Sequence, residues 1–166
     1  MRTKPNNPRY TIRYTDVSDE TTRAQIATQI KTFNNARSPF HLQIRTKLPT
    51  PLELYVHDQN RTLLGGLIAE TYWGWLFVDM LWLHEHVRGH GLGRDLLLRA
   101  ETEAIRRGCA HAYLTTFSFQ ARGFYEKQGY RVVGQLDDYP PGDSYFWLRK
   151  DFIRDSSNLS TEPATI

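Results

Sequence analysis

A glycine-rich segment at residues 88–93, with the sequence Arg-Gly-His-Gly-Leu-Gly, has the residue types and spacing of an anion-binding site. Glycines have no Cβ, so their backbone N–H groups can approach a phosphate closely. The segment lies between a strand-like run and a helical pattern, and the amino-terminal end of a helix attracts anions. Arg88 and Arg94 place two positive charges beside it. This combination indicates a pyrophosphate cradle, although a plain tight turn can have the same composition.

Two common phosphate-binding motifs do not match this segment. A Walker A loop ends in Gly-Lys-Ser/Thr, which is missing here. A dinucleotide-binding loop follows the first strand of a βαβ unit and needs an acidic residue after the next strand. The strand before residues 88–93 is the fourth in the predicted order, and no acid directly follows the strand at 112–117. We therefore expect a different kind of phosphate site.

Hydrophobic periodicity predicts the elements that position this loop. Alternating apolar residues indicate strands, and apolar residues three or four apart indicate helices. A mixed sheet with helices on its faces follows from their order. Strands are expected at 10–14, 52–57, 62–72, 75–83, 112–117, 130–136 and 144–149. Helices are expected after Ser18 or Asp19, with Ile26, Ile30 and Phe33 on one face, and at 92–107 and 120–128.

Two regions need separate expectations. The segment 36–51 contains three prolines and is interpreted as a variable connection. The helix at 92–107 should end at Gly108, because glycine is a favoured residue just past a helix end. Its apolar stripe, which should be buried, consists of Leu92, Leu96, Leu97, Ala100 and Ala104.

Two motifs together resemble one known family, the GNAT (GCN5-related) N-acetyltransferases. The segment 88–93 is similar to the family's Arg/Gln-x-x-Gly-x-Gly/Ala signature, and the strand end at 81–83 before it also matches. A second block at 121–130, Ala-Arg-Gly-Phe-Tyr-Glu-Lys-Gln-Gly-Tyr, resembles the family's later signature. The two blocks have the family's order, with room for a helix, a strand and a turn between them. The resemblance covers roughly residues 10–152.

The resemblance implies an α/β (α+β) fold with a mixed, mostly antiparallel sheet. Six or seven strands and about four helices are expected, with the sheet splayed between strands 4 and 5. Acetyl-CoA would lie in that cleft, and its pantetheine arm would pair with the backbone at Leu81 and Leu83 like an added strand. The predicted cofactor-binding set is Leu81, Trp82, Leu83, Arg88, Gly89, His90, Gly91, Leu92, Gly93, Arg94 and Ser118. Ser118 stands where the family often has an asparagine.

Acyl transfer from a thioester to an amine needs a neutral amine, a stabilised oxyanion and a proton for the leaving thiolate. A backbone N–H near Leu83 could stabilise the oxyanion. Tyr125 matches the family's usual general acid, and its reference pKa near 10 keeps it protonated. Asp79 lies in the apolar stretch 77–81, where a carboxylate is costly unless it is used or paired. Asp79 is the first candidate base and Glu70 the second; a hydrogen-bonded structural role for Asp79 stays open.

Other side chains have less specific interpretations. Phe124 is expected to pack on the sheet. The histidines at 84, 86 and 90 do not have the His-Glu-x-x-His spacing of a zinc site, so no metal is assigned. Trp73, Trp75 and Tyr139 could line an acceptor pocket or a dimer face, or simply pack.

The composition limits which classes of protein remain possible. The 166 residues carry a formal net charge of +3, too small an excess to indicate nucleic acid binding but suitable for an anionic cofactor. Cys109 is the single cysteine, which excludes an intrachain disulfide. No signal peptide or membrane-spanning run is recognisable, so a cytoplasmic location is expected. One domain is expected over 1–154, followed by a disordered tail at 155–166.

The acceptor is not fixed by these residues, because acceptor pockets are built from variable loops. A small-molecule primary amine is the first hypothesis, with direct attack on acetyl-CoA in a ternary complex. A protein lysine or N-terminus is the second, with segment 36–51 forming a groove. A non-catalytic acyl-CoA-binding module is the third, and the presence of Tyr125 argues against it. A homodimer is left open.

Overall fold

The computed structural model describes residues 10–45 and 47–152. The chain divides into two compact units, one up to residue 46 and one from Lys47 onward. The predicted tail at 155–166 lies outside the described residues. No helix in the described ranges is long and apolar enough to cross a bilayer.

The first unit contains two helices, α1 (Glu20–Arg37) and α2 (Pro39–Ile44). Asp19 begins α1, as predicted, and its carboxylate accepts a hydrogen bond from the Thr22 N–H at 3.1 Å. The helix α2 was missed because Pro39 was interpreted as a break, whereas proline is well suited to the first turn of a helix.

The strand predicted at residues 10–14 is wrong. Residues 10–15 have no regular secondary structure, and Tyr10, Ile12 and Tyr14 are all more than three-quarters exposed. A strand needs a hydrogen-bonded neighbour as well as an alternating pattern, and none of the described strands pairs with this segment.

The second unit is built on a six-stranded sheet with the order β1-β2-β3-β4-β6-β5. Neighbouring strands are antiparallel except β3 and β4, which are parallel. The mixed, mostly antiparallel architecture is therefore confirmed. The strands are β1 (Thr50–His57), β2 (Leu63–Tyr72), β3 (Trp75–Leu83), β4 (His111–Phe117), β5 (Arg131–Asp137) and β6 (Ser144–Asp151).

Helices α3 (Leu92–Arg106) and α4 (Arg122–Lys127) follow β3 and β4, and a short 3-10 turn at Glu85–Val87 precedes α3. Four of the five residues of the predicted α3 stripe are buried. Leu92 is only half-buried, because it is the first residue of the helix. The fully buried side chains at the centre of the core are Leu67, Leu76, Leu97, Leu114 and Leu148.

One charged side chain of α3 is also buried. Glu101 is only 5% exposed, and its Oε2 accepts a hydrogen bond from Nζ of Lys150 on β6 at 2.6 Å. Glu101 Oε1 and the Tyr130 hydroxyl have no hydrogen-bond partner among the described residues. Burial, together with the charge of Glu101, raises the pKa of Tyr130. The hydrogen bond between Glu101 and Lys150 joins α3 to β6.

The sheet opens between β3 and β4. Their parallel pairing runs only from Trp75 opposite His111 to Val78 opposite Leu114, and the strands then separate. The predicted separation is thus confirmed. These are the third and fourth strands of the protein, because the strand expected at 10–14 is absent from the described structure.

Candidate active site

The separation of β3 and β4 creates a cleft with a volume of about 690 Å³. One wall is the end of β3, and the other is formed by β4 and the start of α4. Several of the predicted catalytic and cofactor-binding residues therefore meet at one place. The lining residues are Asp79, Met80, Leu81, Trp82, Leu83, Arg88, Thr115, Thr116, Phe119, Gln120, Ala121 and Tyr125.

Asp79 occupies a β-bulge in β3. Ile68 pairs with Met80 and Ala69 with Val78, so Asp79 is the extra residue that has no partner on β2. The bulge comes directly after the last residue of β3 that pairs with β4. Contrary to the expectation of an apolar setting, the Asp79 side chain is exposed. Its carboxylate is therefore accessible from the cleft.

The bulge also explains why both leucines at the end of β3 face the core. Leu76 and Val78 are buried at even positions, whereas Leu81 and Leu83 are half-buried against the core at odd positions. An extra residue reverses the alternation of side chains along a strand. The sequence does not show this change of parity, because every residue at 75–83 except Asp79 is apolar.

Backbone groups at the end of β3 point into the cleft. The His84 N–H donates to the Leu64 carbonyl at 2.8 Å. Hydrogen-bonded pairs alternate along an antiparallel ladder, so Trp82 also bonds to β2. Leu81 and Leu83 consequently direct their N–H and C=O groups away from β2, toward the cleft. This is the orientation that an added extended segment would need.

The side chain of Arg88 folds back onto this strand end. Its Nε donates to the Leu83 carbonyl at 2.8 Å. The contact ties the glycine-rich loop to β3 and places the guanidinium of Arg88 on the cleft wall. The indole of Trp82 is half exposed in the same wall.

The glycine-rich loop has a backbone that glycine favours. Gly89 has φ 79° and Gly91 has φ 83°, both in the left-handed region. A Cβ at either position would meet no atom within 4 Å, so the space above this backbone is open. Gly91 is the N-cap of α3, and no side chain caps the helix. The N–H groups of the first helical turn, at residues 92–94, thus remain available to an anion.

Two other predicted loop residues have distinct roles. His90 is exposed at the tip of the loop. Gly93 lies close to α4, where a Cβ would come within 3.5 Å of the Phe124 ring and 3.6 Å of the Leu83 side chain. Phe124 packs against the core, as expected, and so supports both the loop and the strand end.

Tyr125 reaches the cleft from α4 and is 8% exposed. Its ring packs edge-on against Phe124 and Tyr130, with centroid distances of 5.1 and 6.0 Å. Burial raises the pKa of Tyr125 above its usual value of 10.0. In the described part of the chain its hydroxyl has no hydrogen-bond partner. It is therefore a protonated donor that is available to a group in the cleft.

Ser118 lies at the end of β4 and is bound to the β5–β6 loop. Its hydroxyl donates to Asp143 Oδ1 at 2.6 Å and accepts from the Ser144 N–H at 3.1 Å. The residue is exposed and does not line the cleft. Its contact with the cofactor stays a prediction.

Sequence reasoning missed the polar residues of β4 and the following turn. Gln120 accepts hydrogen bonds from the Thr116 hydroxyl at 3.2 Å and from the Phe117 N–H at 2.9 Å. These contacts shape the wall opposite Asp79, where Thr115 and Phe119 also lie. No motif marks these positions, since their role follows only from the separation of the strands.

The histidines near the loop do not form a cluster of metal ligands. The rings of His84 and His86 stack with a centroid distance of 4.8 Å. Among residues 10–45 and 47–152, no group of three or more His, Cys, Asp or Glu side chains is arranged to hold a metal ion.

Known proteins share both the sequence and the fold. Residues 18–130 match the acetyltransferase (GNAT) family. The blasticidin-S acetyltransferase of Streptomyces morookaense is 39% identical over 131 residues, which cover 74% of this chain and 96% of that relative. An acetyltransferase from Bacillus cereus, known from its crystal structure, has a TM-score of 0.72 at 28% identity, covering 84% of this chain and 98% of the other.

A more distant structure shares the fold alone. It is the aminoglycoside 6′-N-acetyltransferase in complex with coenzyme A, with a TM-score of 0.57 at 22% identity over 64% of this chain and 75% of the other. The family match covers more than half of the sequence and includes both the loop at 88–93 and the block at 121–130. The chain therefore belongs to the GNAT family of acetyltransferases and is an N-acetyltransferase.

Proposed function

We propose that the protein transfers the acetyl group of acetyl-CoA to a primary amine of a small molecule, by direct attack within a ternary complex. The observation that carries this proposal is the cleft between β3 and β4. It brings an exposed carboxylate, Asp79, and a buried phenol, Tyr125, to the same cavity as the part of the β3 edge that does not pair with β4. A base, an acid and a strand-like binding edge are the parts that the reaction needs.

The residues of the cleft fit acetyl-CoA as co-substrate. The backbone of Leu81 and Leu83 would pair with the pantetheine arm, and the N–H groups at residues 89–94 would receive the pyrophosphate. Arg88 and Arg94 would add positive charge, which supports binding of a polyanion. Bound acetyl-CoA supplies the activated thioester carbonyl. A metal has no role in this proposal.

Asp79 would prepare the amine. Amines are protonated near neutral pH, and only the neutral form has a lone pair for attack. The exposed carboxylate of Asp79 would accept the proton, either directly or through a water molecule. The N–H of Leu81 or Leu83 would then stabilise the negative charge that develops on the carbonyl oxygen.

Tyr125 would supply the proton for the departing sulfur. As the C–N bond forms and the C–S bond breaks, the phenol proton moves to the thiolate. The raised pKa of Tyr125 keeps the proton in place until that moment. Phe124 and Tyr130 would hold the ring in position through their edge-on contacts.

The small-molecule acceptor is supported by the relative from Streptomyces morookaense, whose name gives blasticidin S as its substrate.

We further propose a single acetyltransferase domain over residues 1–154, because the family match at 18–130 crosses the boundary between the two units. A cytoplasmic location is also proposed, since the single cysteine, Cys109, is free and buried.

The test is a thiol-release assay with acetyl-CoA, in which a panel of small amines is compared with lysine-containing peptides. Mass spectrometry would identify the acetylated product. Initial velocities measured with both substrates varied should give intersecting double-reciprocal lines, as a ternary complex requires. Parallel lines would instead indicate an acetylated enzyme, and turnover of peptides alone would contradict the small-molecule assignment.

A further inference from the structure

A second cavity lies on the face of the sheet opposite α3, beside the cleft. Its volume is about 310 Å³. Five aromatic rings and one carboxylate form its walls, a combination that the catalytic chemistry does not require. The lining residues are Glu70, Tyr72, Trp73, Trp75, Phe77 and Tyr113.

The strand register creates this cavity, which we call the aromatic slot. Glu70 on β2 lies opposite Phe77 on β3, and Phe77 lies beside Tyr113 on β4. The rings of Phe77 and Tyr113 stack with centroids 4.7 Å apart and an interplanar angle of 21°. Trp75 meets Tyr113 edge-on at 6.0 Å. Neighbouring strands therefore present a carboxylate and three rings to one side. The guanidinium of Arg149 on β6 lies over the Trp75 ring, 4.9 Å from its centroid.

The carboxylate of Glu70 has no partner of its own. It is half-buried among the rings, and none of the described residues forms a hydrogen bond or ion pair with it. Burial and then the negative charge of Glu70 raise the pKa of Tyr113. A carboxylate without a counter-ion, surrounded by aromatic faces, favours a cation, since both the charge and the ring faces attract it.

The aromatic slot lies two residues before the cleft along both strands. Phe77 precedes Asp79 by two residues on β3, and Tyr113 precedes Thr115 by two residues on β4. Asp79 and Thr115 line the cleft. Two residues of strand span about 7 Å, which is close to the length of a six-membered ring with a substituent at each end. A molecule in the slot could thus place an amine at Asp79.

We infer that the aromatic slot binds the part of the acceptor that does not react, and that this part is a flat group with a positive charge. The inference rests on the proposed function and specifies its substrate class. Glu70 selects the charge, and the stacked rings of Phe77 and Tyr113 select the flat shape. The preferred acceptor is a primary amine connected to a flat cationic group across roughly one ring.

Three probes of nearly equal shape test the charge. They are p-(aminomethyl)benzamidine, p-(aminomethyl)benzamide and p-(aminomethyl)benzoate, which have the same amine and ring and differ in the charge of the far group. We expect kcat/KM to be about tenfold higher for the amidine than for the amide, mainly through KM, and lowest for the benzoate. Agmatine, a cation without a ring, should be used less well than the amidine.

The variant Glu70→Gln should reduce the advantage of the amidine over the amide to about twofold or less, as expected when the carboxylate that favours the cation is lost. Because Glu70 is also the second candidate base, the ratio of kcat/KM for the amidine to that for the amide is the readout, and not turnover itself. The control is Glu53→Gln, the same substitution on β1, outside the aromatic slot. If Glu70→Gln instead lowers kcat equally for all three probes, Glu70 is not a recognition residue and the inference is wrong.

Binding of benzamidine itself separates this inference from the proposed function. Benzamidine lacks the primary amine and cannot serve as this acceptor, so calorimetry reports on the aromatic slot alone. Glu70-dependent binding without acetylation of any amine would support the slot and contradict the proposed function. Acetylation of all three probes with equal kcat/KM would support the function and overturn the slot.

Discussion

Tyr125 combines two properties that favour a role in catalysis. Its ring is fixed by aromatic neighbours, while its hydroxyl has no hydrogen-bond partner within the described chain. Burial disfavours the phenolate, so the group stays protonated at all pH values below its raised pKa. A tyrosine that only packed against the sheet would have no need to line the cleft.

The substitution Tyr125→Phe should therefore separate chemistry from packing. We expect kcat and kcat/KM to fall together by about tenfold to a thousandfold, the usual range for loss of a general acid or somewhat less. Affinity for acetyl-CoA should change little, since one neutral hydrogen bond contributes only about 1 kcal/mol. Steady-state kinetics and calorimetry measure the two effects. Full activity at unchanged affinity would remove Tyr125 from the mechanism.

Asp79→Asn should lower turnover most at low pH, where neutral amine is scarcest and a base matters most. Because the side chain is exposed at a bulge, the free energy of unfolding should change by no more than about 0.5 kcal/mol. A pH–rate profile and thermal denaturation of both proteins test this. A loss of activity that follows a loss of stability at every pH would assign Asp79 a structural role.

At the scale of elements, the two ends of α3 offer a matched comparison. Gly91 precedes the helix with φ 83°, and Gly108 follows it with φ 85°. Neither has an atom within 4 Å of the place where a Cβ would stand. A side chain at either position thus meets the same backbone strain, but only Gly91 belongs to the proposed phosphate cradle.

Gly91→Val and Gly108→Val should destabilise the protein by similar amounts, on the order of 1–2 kcal/mol, because valine is strained in the left-handed region. Only Gly91→Val should also weaken binding of acetyl-CoA, which calorimetry on the folded variants would detect. If the two variants bind acetyl-CoA equally well, the loop at 88–93 is a turn and nothing more.

The elements from residue 50 onward could be predicted because each carries its own pattern. The strand at 75–83 was predicted with its observed bounds, and the other strands of the sheet agree within two residues. The segment at 10–14 alternates equally well but pairs with none of the described strands, so an alternating pattern alone does not make a strand. For the candidate site, motifs mark the loop at 88–93 and Tyr125, and their roles in cofactor binding and catalysis stay predictions. The bulge and the aromatic slot depend on register, which no single strand specifies.

At the scale of the whole sheet, the salt bridge between Glu101 and Lys150 connects the two halves. Glu101 belongs to α3, which follows β3, whereas Lys150 belongs to β6 on the other side of the cleft. The side chain of Glu101 is 6% exposed and that of Lys150 is 25% exposed. Removing only the lysine would leave a carboxylate in the core without its counter-ion.

Lys150→Met should therefore lower the free energy of unfolding by about 2–3 kcal/mol, somewhat less than for a fully buried pair because Lys150 is partly exposed. The double variant Glu101→Met with Lys150→Met should recover much of this loss, since no charge then remains buried. Urea denaturation of the two single variants and the double variant completes the thermodynamic cycle. If the losses in the free energy of unfolding of the two single variants add up to that of the double variant, Glu101 and Lys150 are not coupled.

The sheet divides into two halves between β3 and β4, which share only a short hydrogen-bonded ladder. The two halves are also separate in the sequence. Strands β1 to β3 and helix α3 come before Gly108, and β4 to β6 come after it. Each half retains its own antiparallel hydrogen bonds, and Asp79 and Tyr125 lie in different halves. A chain cut between Arg107 and Gly108 would give two inactive fragments that share one apolar core. Each fragment could be fused to one of two proteins that bind each other. The fragments would then form a split enzyme, and its acetylation activity would show that the two proteins have bound.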